Sequence, residues 1–170
     1  MNVKFKRLHP DAKIPQYATE MAAGFDLVAV EDVIIAPGET AKVPLGFAVQ
    51  IPAGYEIQIR PRSGVTLKTK LRVNLGTIDA DYRGEIGVII DNLTQPMGWT
   101  DTYPHLLDGN PDWRYSGEGE SDGTYSIRKG DRIAQGVLAP VPRASFEEVA
   151  DLDDTERGDG GFGHSGVTSE

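Results

Sequence analysis

The chain has 170 residues, 26 acidic side chains against 17 basic ones, a formal charge of -9 and no cysteine. An acidic balance disfavours nucleic acid as the main partner, because that binding rests on neutralising phosphates with Lys and Arg. Missing cysteine excludes both a disulfide framework and a thiolate zinc site. No apolar run approaches the roughly 20 residues of a membrane-spanning helix, and Met1 to Pro10 carries lysines without an apolar segment behind them, so a cytoplasmic protein with no membrane partner is expected.

One domain with a real core suits this length. The 20 glycines and 11 prolines fall between short Val/Ile-rich runs, with no long segment of helical period. That pattern predicts an all-β sandwich or jelly roll with little helix. Val3 to Leu8 alternates apolar and basic residues and reads as a strand, followed by a Pro-punctuated loop to Tyr17. After Gly24, the stretch to Val30 is a strand in which Phe25, Leu27 and Val30 pack inward, while Asp26 is a lone charge expected to face solvent. Further strands are expected at Val33 to Ile35, Thr40 to Val43, Phe47 to Ile51 and Tyr55 to Arg60, cut by turns at Pro37-Gly38-Glu39 and Pro52-Ala53-Gly54.

Pro61-Arg62-Ser63-Gly64 ends that run. Val65 to Lys70 can form a turn or two of helix, which puts Ser63 and the amides of Gly64 and Val65 at a helix N-terminus, with Arg62 as a forked donor for phosphate. The same residues also suit an ordinary capped turn. Leu71 to Leu75 is a strand leading into Gly76-Thr77-Ile78-Asp79-Ala80-Asp81-Tyr82-Arg83-Gly84-Glu85, too polar for a core strand and placed directly before the apolar run Ile86 to Ile90. Extended Thr77 and Ile78, a turn at Ala80-Asp81 and the freedom of Gly84 predict a β-hairpin with Asp79 and Tyr82 facing one pocket. A carboxylate beside a flat ring suits the activation of water next to a stacked base or sugar. An acidic surface hairpin accounts for these residues equally well.

Leu93 to Gly123 breaks the strand pattern and is too long for a simple connection. Strands resume at Tyr125 to Ile127 and Arg132 to Leu138 around a turn at Lys129-Gly130-Asp131, and Ser145 to Val149 is expected to be the last strand. Residues 1–150 therefore form the domain, containing the insert 93–123, and residues 151–170 form a flexible glycine-rich tail. Within the tail, Arg157-Gly158-Asp159-Gly160-Gly161-Phe162-Gly163-His164-Ser165-Gly166 sets an Arg, a ring and a Ser among glycines. Such a segment can wrap a ligand with bare amides, stack a ring and pin a phosphate.

Together these stretches resemble the homotrimeric dUTPases, the deoxyuridine triphosphate nucleotidohydrolases. The five family motifs occur in order at Ala23-Gly24-Phe25-Asp26-Leu27, Pro61 to Gly64, Gly76 to Glu85, Gly130-Asp131-Arg132-Ile133-Ala134-Gln135 and Arg157 to Gly166. The resemblance implies a jelly-roll subunit and active sites shared between the chains of a trimer. It implies hydrolysis of dUTP to dUMP and pyrophosphate, which keeps uracil out of DNA and supplies dUMP for dTMP synthesis. On that basis Asp79 is the general base for a water attacking the α-phosphate. Tyr82 stacks on deoxyribose, and Thr77, Ile78 and Asn74 lie where uracil is read. Arg62, Ser63, Gly64 and Gln135 hold phosphates, Arg157 grips the γ end, and Phe162, Gly163, His164 and Ser165 close over the nucleotide. Mg²⁺ is implied to neutralise part of the triphosphate charge, with Asp26 reaching it through water.

The long insert resembles the extra segment of some phage-encoded dUTPases. Its aromatic residues Trp99, Tyr103, Trp113 and Tyr115, set among acids, are expected to form a protein-interaction surface dispensable for hydrolysis. The alternative is that they pack onto the barrel. Two other functions are open: a nucleotide-sensing regulator binding a repressor-like protein through the insert, and a dCTP deaminase. The latter needs a catalytic Glu where this chain has Ile89.

Overall fold

The computed structural model describes residues 1–95, 99–115 and 120–161. Its elements run β1 (Lys4–Arg7), β2 (Phe25–Val28), β3 (Val33–Ile35), β4 (Thr40–Pro44), β5 (Phe47–Gln50), β6 (Tyr55–Pro61), α1 (Ser63–Lys68), β7 (Leu71–Val73), β8 (Gly76–Ile78) and β9 (Gly87–Asn92). They continue with β10 (Trp99–Thr102), a single 3-10 turn at Trp113–Tyr115, β11 (Glu120–Ser121), β12 (Tyr125–Ile127) and β13 (Arg132–Pro140). A four-stranded sheet has the order β2-β13-β6-β8 and a three-stranded one β4-β9-β7, flanked by the pairs β1-β5, β12-β3 and β10-β11. Every ladder is antiparallel. This is the all-β jelly roll that the short, turn-bounded apolar runs predict.

Alternation sets which face of each strand goes inside. In β9, Val88 and Ile90 are buried while Ile89 between them is 49% exposed. Leu27, Ile35, Leu45, Leu71, Ile127 and Ile133 join them in one core, each contributing about 1.5–3 kcal/mol by leaving water. Close approach of a ring explains Gly136 in the middle of β13: a Cβ there would lie 2.2 Å from the Phe25 ring. Gly38 and Gly54 take φ of +77° and +81°, so the two predicted turns use the left-handed backbone that favours glycine. Among the described residues no helix is long and apolar enough to cross a membrane.

Two sequence expectations fail here. The Gly76–Glu85 stretch is not a paired hairpin: β8 pairs with β6, whereas β9 pairs with β4 and β7 in the other sheet. Glu85 and Ile86 are instead stitched to the loop after β4, where the Glu85 carboxylate accepts the Gly46 amide at 2.9 Å and the Leu45 amide donates to the Ile86 carbonyl at 3.1 Å. These contacts carry the chain from one sheet to the other. Ser145 to Val149 forms no strand, and Phe146 is 95% exposed.

The insert packs on the barrel over residues 103–115. His105 donates its amide to Thr124 and accepts that of Ser126, at 2.8 and 2.9 Å. Asp112 is fully buried, with ion pairs to Arg128 at 2.5 Å and Arg114 at 2.9 Å, and Arg114 also reaches Asp32 at 2.6 Å. Asn92, buried at the end of β9, donates to the carbonyls of Ile35 at 3.0 Å and Gly123 at 2.8 Å, and so fastens the return of the insert to the core. Tyr103 and Trp113 touch at 4.6 Å between ring centroids, yet Trp113 remains 66% exposed.

Candidate active site

The turn after β8 presents the candidate base. Register on β6 places Ile78 opposite Ile57 and Thr77 opposite Gln58, so the extended Thr77-Ile78 backbone delivers Asp79 to the Tyr55 end of β6. A 3.1 Å bond from the Tyr82 amide to the Asp79 carbonyl closes the turn. The Tyr82 hydroxyl donates to the Glu85 carbonyl at 3.1 Å, folding the ring over Gly84, where any Cβ would fall 2.3 Å from that hydroxyl oxygen. Arg83 braces the same turn by donating to the carbonyls of Ala80 and Tyr82 at 2.7 and 2.8 Å. Asp79 itself is exposed, and among the described residues its carboxylate has no hydrogen bond or ion pair.

Thr77, Ile78, Asp79, Tyr82, Gly87 and Ile89 line a cavity of about 190 Å³. Lys42, Glu85 and Ile86 complete the lining, so its walls combine the Asp79 carboxylate, a phenol ring and apolar side chains with the Lys42 chain and Glu85. Asn74 lies at its margin, its amide bonded to the carbonyl of Ile89 at 2.9 Å.

A second constellation forms at the other end of β6. Arg62 caps the start of α1 with extended backbone, and Ser63 and Gly64 are exposed in its first turn. Pairing across β2, β13 and β6 puts Asp26, Gln135 and Arg60 in one row. Asp26 is not the solvent-facing charge expected: Arg62 approaches its carboxylate at 3.3 Å and Arg132 at 3.2 Å. Arg62 also donates to the Arg132 main-chain carbonyl at 2.8 Å, which ties its guanidinium to the start of β13. Gly24 leaves room for Gln135, whose Oε1 would be 3.0 Å from a Cβ at that position.

Arg62, Gly64, Lys68 and Arg132 border a pocket here, and Leu107 and Asp108 of the insert form its far wall. The turn below holds Gly130 at φ +94° and Asp131, whose carboxyl burial pushes above the ordinary carboxylate range despite the Arg128 amide donating to it at 2.8 Å. Arg132, Lys68 and Asp108 line this pocket and were not singled out by their place in the sequence. Arg132 stood inside the Gly-Asp-Arg run, but only strand register reveals that it shares Asp26 with Arg62.

The chain does not bring these two constellations together. Asp79 lies one residue beyond the Ile57–Ile78 pair and Arg62 follows Pro61 at the opposite end of β6. About six strand residues separate the two levels, roughly 20 Å at strand rise. Arg157 joins neither group: its Nε donates to the Gly160 carbonyl at 2.8 Å in a local turn of the tail. Phe162, Gly163, His164 and Ser165 lie outside the described residues.

Comparison with known proteins fits this geometry. The dUTPase family model matches residues 10–97 and 120–166, leaving out the middle of the insert. A protein of Nautilia profundicola named deoxyuridine 5'-triphosphate nucleotidohydrolase is 45% identical over 168 residues, covering 98% of this chain and 99% of its own. Among solved structures, the dUTPase of Staphylococcus bacteriophage 80alpha, as a Gly-to-Ser variant with dUpNHpp, superposes with a TM-score of 0.93 at 33% identity, covering 98% of this chain and 99% of its own. A dUTPase variant from phage phi11 of S. aureus, described with a structural Mg(II) ion, superposes with a TM-score of 0.83 at 31% identity, over 91% of this chain and 100% of its own. With its two constellations built on matched segments, the chain belongs to the dUTPase family.

Proposed function

We propose that this protein is a cytoplasmic dUTP diphosphatase, releasing dUMP and pyrophosphate from dUTP, with each active site assembled between copies of a homotrimer. The observation that carries this reading is the free Asp79 carboxylate beside Tyr82 in a small cavity, about 20 Å along β6 from the Arg62–Ser63–Gly64 turn. A base at that distance cannot serve a phosphate held by its own chain. A neighbouring copy supplying the second constellation removes the difficulty, and the 33%-identical phage relative was solved with a dUTP-like ligand, dUpNHpp.

In this reading Asp79 orients a water and takes its proton as the water oxygen bonds to the α-phosphorus. The bond from that phosphorus to the bridging oxygen breaks, and pyrophosphate leaves. Tyr82 supports the deoxyribose and crowds a 2′-hydroxyl, while main-chain groups of Thr77 and Ile78, with Asn74 at the edge, read uracil. Arg62, Ser63, Gly64 and Gln135 of another copy hold phosphate oxygens. Arg157 takes the γ end, with Phe162, Gly163, His164 and Ser165 covering the nucleotide.

Among the described residues no three His, Asp or Glu side chains form a metal-binding group. Asp26, already shared by two guanidiniums, suits contact through water better than direct ligation. These residues fit a Mg²⁺ ion held mainly by phosphate oxygens and water, which would supply charge neutralisation on the triphosphate. Ile89, apolar and half-exposed in the cavity, offers no proton for a deaminase.

Pyrophosphate release from dUTP, with dCTP, dTTP and UTP alongside, tests the proposal. Release confined to dUTP is expected; ammonia released from dCTP would replace it with the deaminase. Truncation before Arg157 is expected to leave melting temperature unchanged, since the described residues removed are exposed or half-buried and none is in the core. Activity should fall about tenfold or more, the scale of losing one charge-assisted phosphate grip and the closure over the site. Unchanged turnover in the truncated protein would remove the tail from the site.

A further inference from the structure

The pocket beside α1 holds three cations that are not equivalent. Arg62 and Arg132 are both committed to Asp26. Lys68, in the last turn of α1, is exposed and makes no ion pair among the described residues. Opposite it stands the tip of the insert. The chain reverses over residues 106–110, with the Leu106 amide donating to the Asn110 carbonyl at 2.8 Å and the Gly109 amide to the Leu106 carbonyl at 2.9 Å. Gly109 takes φ +87°, and a Cβ on it would stand 3.8 Å from the Lys68 carbonyl oxygen, so the loop tip rides on the end of the helix.

This loop is anchored and its charge is aimed. Leu107 packs against the core. Asn110 donates from both its amide and its side chain to the Asp108 carboxylate, at 2.9 Å each, which fixes that carboxylate at the tip. These bonds, aided by the nearby Lys68 charge, hold Asp108 below the ordinary carboxylate range. It therefore stays ionised at neutral pH.

We propose that Lys68 is an additional phosphate-binding side chain of the α1 pocket and that Asp108, on the inserted loop across the pocket, opposes phosphate binding there through its charge. The proposal rests on the nucleotide reading above and adds to it a link between the insert and substrate binding. An incoming polyphosphate meets the unpaired Lys68 ammonium on one wall of the pocket and is repelled by Asp108 on the other, and Lys68 and Asp108 lie close enough for each to feel the other's charge. The two residues therefore act in opposite directions on affinity, and each depends on the other. Neither touches the reacting atoms, so both act on binding in ground state and transition state alike.

Lys68→Ala is expected to raise KM for dUTP about fivefold with kcat within about twofold, the scale of one exposed charge-assisted contact. Asp108→Asn should lower KM about twofold at unchanged kcat. Coupling is read from the double variant, in which the effect of Asp108→Asn differs from its effect in the parent. Calorimetric binding of inorganic tripolyphosphate should follow the same order and requires no turnover. Both side chains are exposed, so unchanged melting temperatures are expected to certify the fold. Equal tripolyphosphate affinity for parent and Lys68→Ala would overturn the proposal, as would strictly additive effects of the two substitutions. If the pattern appears in tripolyphosphate binding while the parent fails to hydrolyse dUTP, the function proposed above is wrong and this one stands.

Discussion

Asp79→Asn is expected to bind dUTP about as well as the parent and to hydrolyse it about 10³-fold more slowly, within the range for loss of a positioned general base. That factor corresponds to about 4 kcal/mol of transition-state stabilisation. The amide keeps the size and planarity of the carboxylate and cannot take the proton from water. Nothing else in the fold leans on this side chain, since no hydrogen bond or ion pair of its carboxylate exists among the described residues. Melting temperature should therefore hold while turnover collapses. Pyrophosphate release at more than a tenth of the parental rate would show that another group takes the proton.

Replacing Asp112 by Ala is expected to cost about 3 kcal/mol of stability, the low end for breaking a buried ion pair. The side chain has no exposed surface and sits one layer below solvent: Arg114 and Arg128, which hold it, are 44% and 37% exposed. Those arginines can rehydrate when Asp112 is gone, and this limits the cost. What is lost is the tie between the insert, β12 and the Arg114–Asp32 pair. Dispensability of the insert, expected from its position in the chain, is therefore weighed against a buried carboxylate that stabilises the barrel. Thermal denaturation of Asp112→Ala, with dUTP turnover measured well below its melting point, separates the structural role from a catalytic one. A melting temperature within a degree or so of the parent would mean that the pairs contribute nothing net.

The same carboxylate predicts an acid response. Hydrogen bonds from Arg114, then Arg128, hold the Asp112 carboxyl well below the usual carboxylate range. A depressed folded pKa stabilises the native state above the unfolded value of about 3.9 and loses that stabilisation as pH falls toward the folded value. Asp11 and Asp32 shift the same way, through Lys129. Burial raises Asp131, which acts in the opposite sense: its stabilisation is present at low pH and fades as pH rises through its folded value. Stability of the parent should thus decline below about pH 4, and the decline should be shallower in Asp112→Ala.

Local chemistry makes much of this protein legible in its amino-acid order. Period-2 alternation and turn residues place strands β2 to β7, because a strand's inward face is written directly in its own apolar residues. Gly38, Gly54 and Gly130 mark their turns, since a positive φ is a local demand that glycine meets most easily. The candidate residues are legible as clustered motifs for a similar reason: Asp79 and Tyr82 are set by one turn, and Ser63 and Gly64 by another. Their types follow from the chemistry asked of them, whatever the path of the distant chain.

Tertiary structure alone decides which strands meet. The run Thr77 to Ile90 reads as a hairpin, yet its two arms pair with β6 and with β4 and β7, because burial of Ile86 and the Glu85–Gly46 bond reward a crossing between sheets over a local ladder. Ser145 to Val149 has the residues of a strand but pairs with none of the described strands. Asp26 reads as a solvent charge until register sets Arg132 and Arg62 beside it, and Asp112 reads as one acid among several until packing encloses it between two arginines. Partner choice, burial of charge and the roughly 20 Å between Asp79 and Arg62 depend on contacts between residues far apart in the chain. No window of neighbouring residues contains those contacts, so only the folded chain settles them.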